Sequence, residues 1–513
     1  MGLHLEPLSV QTVSDESSLV TFLNRLEDQL QQMQATLSEM AFTQYQTKRR
    51  PAGMAEAEAA QAAVMTNPDY HGVVAQWVGR VSEPLLARRL HLFDQAFRGA
   101  RVSAHAEVRA LVNEISDTIV GTRYDVQGQE LDLGGVRHVL RTEPNRDRRR
   151  AAWLSFAPLS RSLAGRTREL FQLRNRLARA EGHETYVHMQ LDAQGLGLAQ
   201  VKAILEELTT ASQPAYQALL EEGAQRNRLG QVQPWDVKFL LDGEGGLPIR
   251  YFPRSGIPGR IKEWASDHGF SLEELGISIH LIDIPYNGLC VSVGPRDIRI
   301  LGNLADGHNY YKTGLHELGH ALHSAFNGAP TYMCRREPSV FGEAMAELIG
   351  YTVQDPGWLA HMGLSPSEVA SAGATGMGPW FAYLRQRTAH ALLEYEAYAN
   401  PDADLDMINA GIEAQVLGCA MDESPRWAAE PNAWYSRYPV YWQNYVLADV
   451  IASQIHHDLR RRFGSVWRNP AAVEHIHRHY WAPGGTVDWQ QKLVNGTGAP
   501  LGTRALVADL SQR

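Results

Sequence analysis

The chain of 513 residues has few cysteines and no long apolar run. Cys290, Cys334 and Cys419 are too few, and odd in number, for a disulfide framework, so reduced thiols in a reducing compartment such as the cytoplasm are expected. The N-terminus lacks a basic stretch followed by an apolar one, and no run of about 18 apolar residues occurs. We therefore expect neither a secretion signal nor a membrane span.

An excess of positive charge is also missing. Lys and Arg number 48 against 57 Asp and Glu, and the net charge of −9 argues against a general nucleic-acid partner. The one dense basic run, 146–150, is expected to be a solvated helix face. Gly195-Leu196-Gly197 lacks the third glycine of a dinucleotide fingerprint, which disfavours nucleotide binding.

No internal repeat and no Ser/Gly linker divides the chain, and most of it has helical periodicity. Between Leu19 and Met40 apolar residues recur at steps of three and four, with Ser14 or Asp15 placed to cap a helix. The exception is 276–304, where apolar residues alternate or cluster among prolines and glycines, which predicts a small antiparallel sheet. The sequence thus predicts a mainly α-helical fold.

The most informative motif is His-Glu-Leu-Gly-His at 316–320. On a helix, His316 and His320 lie on one face about one turn apart, where two ring nitrogens can bind one Zn²⁺. Glu317 can then act on the water that the metal activates. Among 20 histidines a chance match is possible, so a third ligand is needed to support this interpretation.

Positions downstream of the motif separate the known zinc geometries. The glycine and third histidine of the metzincin pattern are replaced by His323 and Phe326, so that pattern is excluded. Thermolysin-like and aminopeptidase-like patterns would place a glutamate at about Ser339 or Val340. Neither of these side chains binds zinc as a carboxylate would.

Glu343 and Glu347 are the next candidates. They lie in a segment with helical periodicity that begins after Pro338, a natural helix boundary. Because they are four residues apart, one can bind the metal while the other orients a ligand histidine. The alternative is a solvated acidic helix face.

These residues carry a resemblance to a known family. The motif 316–323 followed by 342–344 resembles the zinc oligopeptidases related to thimet oligopeptidase and oligoendopeptidase F, and equally angiotensin-converting enzyme. Segments 174–186 and 233–236 are similar to the oligopeptidase branch, and 297–304 to the converting-enzyme branch. The resemblance extends to about residue 460, and only the zinc motif is specific by itself.

The resemblance implies a two-lobed helical zinc-peptidase fold with a deep central cleft and the small antiparallel sheet beside the active site. It also implies one catalytic domain spanning residues 1–513. Within that domain we expect a helical lid at about 1–125, a zinc-binding core at about 270–355 and a helical C-terminal part at about 356–513.

The resemblance also implies roles for the motif residues. One Zn²⁺ per chain would be held by His316, His320 and Glu343. Glu317 would be the general base, and Glu347 would orient a ligand histidine without binding the metal itself.

An aromatic stretch near the C-terminus provides a candidate oxyanion donor. Tyr441 and Tyr445 are four residues apart, and aromatic residues at this spacing are more often core. The resemblance places Tyr445 at the family's transition-state tyrosine. Tyr438 and Tyr441 are possible substrate contacts. At Cys290–Gly294 we expect either a strand edge that binds an extended peptide, with Cys290 as a candidate substrate contact, or a plain structural strand.

Two departures from the converting-enzyme pattern limit the predicted specificity. Asn444 replaces its chloride-linked arginine, and Ala433 and Tyr435 replace its carboxylate-binding lysine and histidine. The predicted function is therefore a zinc peptidase acting on short peptides or peptide-like substrates, without nucleic-acid or membrane partners. The alternatives are a zinc hydrolase acting on a non-peptide amide and a catalytically silent binding protein.

Overall fold

The computed structural model describes residues 7–11, 13–242, 247–375, 377–422, 424–429 and 432–511. Helices dominate these residues. The α-helices are α1 Glu16–Thr47, α2 Met54–Met65, α3 Pro68–Trp77, α4 Pro84–Ser103, α5 Ala106–Gly121, α6 Leu133–Thr142, α7 Arg146–Leu154, α8 Ala157–Ala180, α9 Tyr186–Asp192, α10 Leu198–Arg226, α11 Pro234–Asp242, α12 Ile257–Asp267, α13 His308–Ala325, α14 Tyr332–Arg335, α15 Ser339–Gly350, α16 Pro356–His361, α17 Pro366–Thr375, α18 Met377–Ala399, α19 Leu405–Leu417, α20 Asn432–Arg437, α21 Trp442–Phe463, α22 Pro470–Ile476, α23 Trp489–Thr497 and α24 Arg504–Ser511. The mainly α prediction is confirmed, and no helix of the described residues is long and apolar enough to cross a membrane.

The chain divides into two compact units, each made of three segments. Unit 1 comprises 1–101, 247–370 and 448–502, and unit 2 comprises 102–246, 371–447 and 503–513. The expected lid, core and C-terminal part of a single catalytic domain stay predictions.

In unit 1, α1 begins as the sequence predicts. The Asp15 carboxylate accepts a hydrogen bond from Ser18 N at 2.8 Å, and Ser18 Oγ accepts one from Asp15 N at 3.1 Å, which forms a capping box. The apolar stripe of the helix is buried from Leu19 to Met33 and packs on α3 and α4. Burial of this stripe stabilises the long helix, because isolated helices are marginal in water.

The small sheet of unit 1 is mixed, so the prediction of an antiparallel sheet is wrong for one strand. Its order is β3 Ile277–Leu281, β5 Asp297–Gly302, β4 Gly288–Gly294, with β4 antiparallel and β3 parallel to β5. Alternating apolar residues show that strands exist but do not encode their direction. Here β5 is the central strand and has Ile298, Ile300 and Leu301 buried, while β4 forms an edge. The other sheet of the described residues is a hairpin of β1 Tyr124–Val126 and β2 Gln129–Leu131 in unit 2.

In unit 2, the basic run 146–150 is only partly a solvated face, which corrects the prediction. Arg149 is fully buried and donates to Asp236 Oδ1 at 2.7 Å, and Arg146 donates to Asp236 Oδ2 at 2.6 Å. Asp236 is buried, and burying its charge without these partners would destabilise the folded chain. The ion pairs therefore hold α7 against the start of α11.

Candidate metal centre

The two histidines of the motif lie together on α13. The rings of His316 and His320 are 4.9 Å apart between their centroids, as expected for two residues one helical turn apart. Between them, Gly319 allows α15 to approach closely. A Cβ on Gly319 would lie 2.6 Å from Ala346 Cα, so any larger residue would push the two helices apart.

The close approach of α15 brings Glu343 to the histidines. Glu343 Oε2 lies 3.4 Å from His316 Nε2 and 3.8 Å from His320 Nε2. Within the parts of the chain that the structure describes, these three form the single cluster of such ligand atoms, all within 4.8 Å of one another. Bonds of about 2.1 Å in a tetrahedral site place ligand atoms about 3.4 Å apart. The residues present therefore fit a zinc ion, whereas 3.8 Å is too long for a hydrogen bond.

The electrostatics of the cluster favour a cation. Burial lowers the pKa of His320 to about 4, so its ring is neutral, the form that binds metals. Burial opposes protonation of His316 as well, but the carboxylates of Glu343 and Glu347 raise the pKa of His316 well above its usual range. A positive charge between these groups is thus stabilised.

Behind His316 lies a second pair of side chains. Glu347 Oε1 is 3.2 Å from His316 Nδ1, and Glu347 Oε2 is 2.9 Å from Lys312 Nζ. Burial would raise the pKa of Glu347, but Lys312 and His316 outweigh it and hold this pKa below its usual range. An ionised carboxylate at Nδ1 fixes the ring and leaves Nε2 directed at the cluster. Sequence reasoning missed Lys312, although its position one turn before His316 is a usable signal.

Glu317 is buried beside the first residue of β4. A Cβ on Gly288 would lie 2.5 Å from Glu317 Oε1, so only glycine leaves room for this carboxylate. Burial raises the pKa of Glu317 to about 7. A pKa near 7 suits a side chain that must both accept and release a proton at neutral pH.

The predicted strand edge also lies at this site. Cys290 is on β4, and burial together with the nearby Glu317 carboxylate raises the pKa of its thiol. Ser292 Oγ accepts a hydrogen bond from Ser324 Oγ on α13 at 3.3 Å. The structure thus places the edge strand β4 along the helix that carries the motif.

The candidate tyrosines lie in unit 2 and contact one another. The ring centroids of Tyr441 and Tyr445 are 5.4 Å apart, and those of Tyr438 and Tyr441 are 6.3 Å apart. The helix that follows, α21, begins at Trp442, so Tyr441 precedes it directly. Tyr445 is half-buried and Tyr438 is exposed, whereas Tyr435 is buried in the core.

Comparison with known proteins supports the resemblance. Residues 139–243 match the model of Peptidase family M3. The structure is similar to the crystal structure of M32 carboxypeptidase from Deinococcus radiodurans R1, with a TM-score of 0.68 and 14% identity over 96% of this chain and 98% of that chain. At this identity the likeness shows a shared fold. No curated protein sequence matches the chain.

The expected resemblance to the gluzincin peptidases is confirmed by these two matches, of which one covers residues 139–243 and the other shows the fold. Together with the metal-ligand cluster they define the class of protein, a metallopeptidase.

Proposed function

We propose that the protein is a zinc-dependent peptidase that hydrolyses short peptides, with one Zn²⁺ per chain held by His316, His320 and Glu343. The observation that carries this proposal is the spacing of Glu343 Oε2 from the two Nε2 atoms, 3.4 and 3.8 Å. A nitrogen, nitrogen and carboxylate set leaves a fourth position open, as in catalytic rather than structural zinc sites.

When bound, zinc polarises the substrate carbonyl and acidifies a water molecule. Glu317 takes the proton from the attacking water and delivers it to the leaving amine. A carboxylate whose pKa is about 7 can do both, because it accepts and releases a proton with similar ease at neutral pH. Gly288 leaves this carboxylate room beside the strand.

Glu347 orients His316 by accepting a hydrogen bond from Nδ1, and Lys312 restrains Glu347 in turn. This arrangement fixes the tautomer of the ring and strengthens Nε2 as a ligand. We assign Glu347 to this supporting position because its two oxygens contact His316 Nδ1 and Lys312, whereas Glu343 Oε2 faces both Nε2 atoms.

Tyr445 is proposed to donate its hydroxyl hydrogen to the oxyanion that forms as water attacks. Its support is the resemblance of the α21 segment to the converting-enzyme pattern. The edge strand β4 is proposed to hold the substrate in extended form through backbone hydrogen bonds, which tolerates varied sequences. Tyr438, Tyr441 and Cys290 are proposed substrate contacts.

The proposed substrate is a short peptide, and the proposed compartment is the cytoplasm. The three cysteines are free thiols, as a reducing compartment requires. The carboxypeptidase to which the structure is similar acts, by its name, at a carboxyl terminus, and that type of cleavage is open to this protein as well.

The function is tested by incubating the zinc-loaded protein with a mixed peptide library and mapping new termini by mass spectrometry. We expect discrete cleavage and one zinc per chain by metal analysis. Glu317→Gln is the control, because it should keep the zinc and lose at least about 10²-fold in kcat. Cleavage of amide metabolites without cleavage of peptides would instead favour a zinc hydrolase acting on a non-peptide amide. Absence of zinc from the protein would favour a catalytically silent binding protein.

A further inference from the structure

A buried ion pair of unit 1 contacts the end of α13. Lys492 on α23 is fully buried, and its ammonium group contacts one carboxylate oxygen of Glu337. The other oxygen of Glu337 accepts a hydrogen bond from His323 Nε2 at 2.7 Å. The three side chains therefore form a continuous series of contacts from α23 to α13.

The surroundings of this group restrain its members. Lys492 Nζ also donates to Tyr480 O at 2.9 Å and lies 4.2 Å from the ring centre of Phe341. Burial would raise the pKa of Glu337, but His323 and Lys492 outweigh it and hold this pKa below its usual range. A buried ion pair often contributes no more to stability than apolar side chains of similar volume. Its presence here therefore calls for an explanation other than stability.

The position of the group along the chain connects it to two candidate ligands. His323 follows His320 on α13 by three residues, and Glu337 lies two residues before α15, the helix that carries Glu343. The hydrogen bond of this group thus joins the two helices that bring His320 and Glu343 together. That pair has the longer of the two ligand spacings, 3.8 Å between Nε2 and Oε2.

The opposite end of the metal-ligand cluster is joined in a similar way. There Glu347 on α15 contacts both Lys312 and His316 on α13. Between the two ends, Gly319 allows the helices to approach closely. One lysine, glutamate and histidine group therefore joins the helices on each side of the metal ligands.

We propose that the group of Lys492, Glu337 and His323 positions the zinc site by holding α13 against α15. The group does not bind the metal. Lys492 restrains the Glu337 carboxylate, and this carboxylate fixes His323 and with it the end of α13. The inference rests on the proposed function, in which His320 and Glu343 bind zinc. Loss of the group should let these two ligands separate, which weakens and distorts the metal site.

The test measures zinc affinity by competition with a chelator, and ligand geometry by the absorption spectrum of the Co²⁺-substituted protein. His323→Leu removes the donor to Glu337, so we expect about tenfold weaker zinc binding and an altered Co²⁺ spectrum. His323→Gln keeps an N–H donor and should recover part of both. Glu337→Gln combined with Lys492→Met should act like His323→Leu. This double variant removes both charges of the ion pair together, so that no buried charge is left alone.

The control is His361→Leu. His361 Nε2 lies 2.7 Å from Glu263 Oε1, as close as the pair at the end of α13, but it joins α16 to α12. This variant should keep the zinc affinity and the Co²⁺ spectrum of wild type. A purely structural role predicts that His323→Leu lowers Tm equally with and without zinc and leaves the spectrum unchanged. That result would overturn the inference.

Neither measurement requires turnover, so the inference and the proposed function can fail separately. If the wild-type protein binds zinc but cleaves no peptide, the proposed function fails, and weaker zinc binding by His323→Leu still supports the positioning role. If the wild-type protein cleaves peptides while His323→Leu keeps its zinc affinity and Co²⁺ spectrum, the inference is overturned and the proposed function stands.

Discussion

Lys312 Nζ lies 2.9 Å from Glu347 Oε2, and the other oxygen of that carboxylate lies 3.2 Å from His316 Nδ1. These contacts run from Lys312 on α13 to Glu347 on α15 and back to His316 on α13, one helical turn after Lys312. Burial would lower the pKa of Lys312, but the Glu347 charge raises it above its usual range, so the lysine stays charged. A charged lysine thus restrains the carboxylate that orients a candidate metal ligand.

Lys312→Met should weaken zinc binding about tenfold, because loss of an outer contact lets Glu347 turn away from His316. Competition with a chelator of known affinity measures this change. Lys262→Met, at an exposed lysine of α12, is the matched control and should leave the affinity unchanged. Unaltered zinc affinity in Lys312→Met would show that Glu347 holds its position without the lysine.

Glu343 and Glu347 should differ in their effect on the metal. Glu343→Ala removes a direct bond and should abolish stoichiometric zinc after dialysis, whereas Glu347→Ala should keep zinc with about 10- to 100-fold lower affinity. Metal analysis after dialysis against buffer distinguishes the two. The reverse result, with zinc kept in Glu343→Ala and lost in Glu347→Ala, would exchange their roles.

Tyr445→Phe should lower kcat by roughly 10²-fold with little change in substrate affinity, as loss of one oxyanion donor does. Steady-state kinetics on a single peptide measures this. Tyr441→Phe is the control, because its ring lies 5.4 Å from that of Tyr445 but is not proposed to contact the oxyanion. A large kcat loss in Tyr441→Phe and none in Tyr445→Phe would move the donor to Tyr441.

Glu394→Gln should stabilise the protein at alkaline pH. Burial raises the pKa of Glu394 to about 8, so the folded chain keeps a proton that the unfolded chain releases at about pH 4.3. The free energy of unfolding therefore falls as pH rises between these values and stays low above them. The glutamine cannot ionise, and its gain should approach about 5 kcal/mol at pH 8.5, at about 1.36 kcal/mol for each pH unit between the two pKa values, and be nearly absent at pH 4.5.

Denaturant unfolding at the two pH values measures this difference. Glu396→Gln, at a half-exposed residue two positions further along α18, should show no comparable gain at pH 8.5. Equal stability of Glu394→Gln and wild type at both pH values would show that Glu394 is ionised in the folded protein or relaxes at little cost.

Local patterns in the sequence predicted the helical class, the capped α1, the zinc motif and its flanking strands. These features depend on periods of 3.6 and 2 and on caps that involve residues three or four apart, all of which are read within a short window. The i and i+4 spacing of His316 and His320 belongs to the same group. Glu343 and Glu347 became candidates because Ser339 and Val340, where other zinc geometries need a glutamate, cannot supply a carboxylate, and the family resemblance selected Glu343 as the ligand.

Tertiary structure alone decided which groups meet. The direction of β3, the buried pairing of Arg149 with Asp236, and the position of Lys312 behind Glu347 each depend on contacts between elements. The ion pair of Lys492 with Glu337 joins α23 to the segment before α15 in the same way. A periodic pattern shows which face of an element is apolar, but the partner of that face is selected by packing the whole chain, and local sequence carries no record of it.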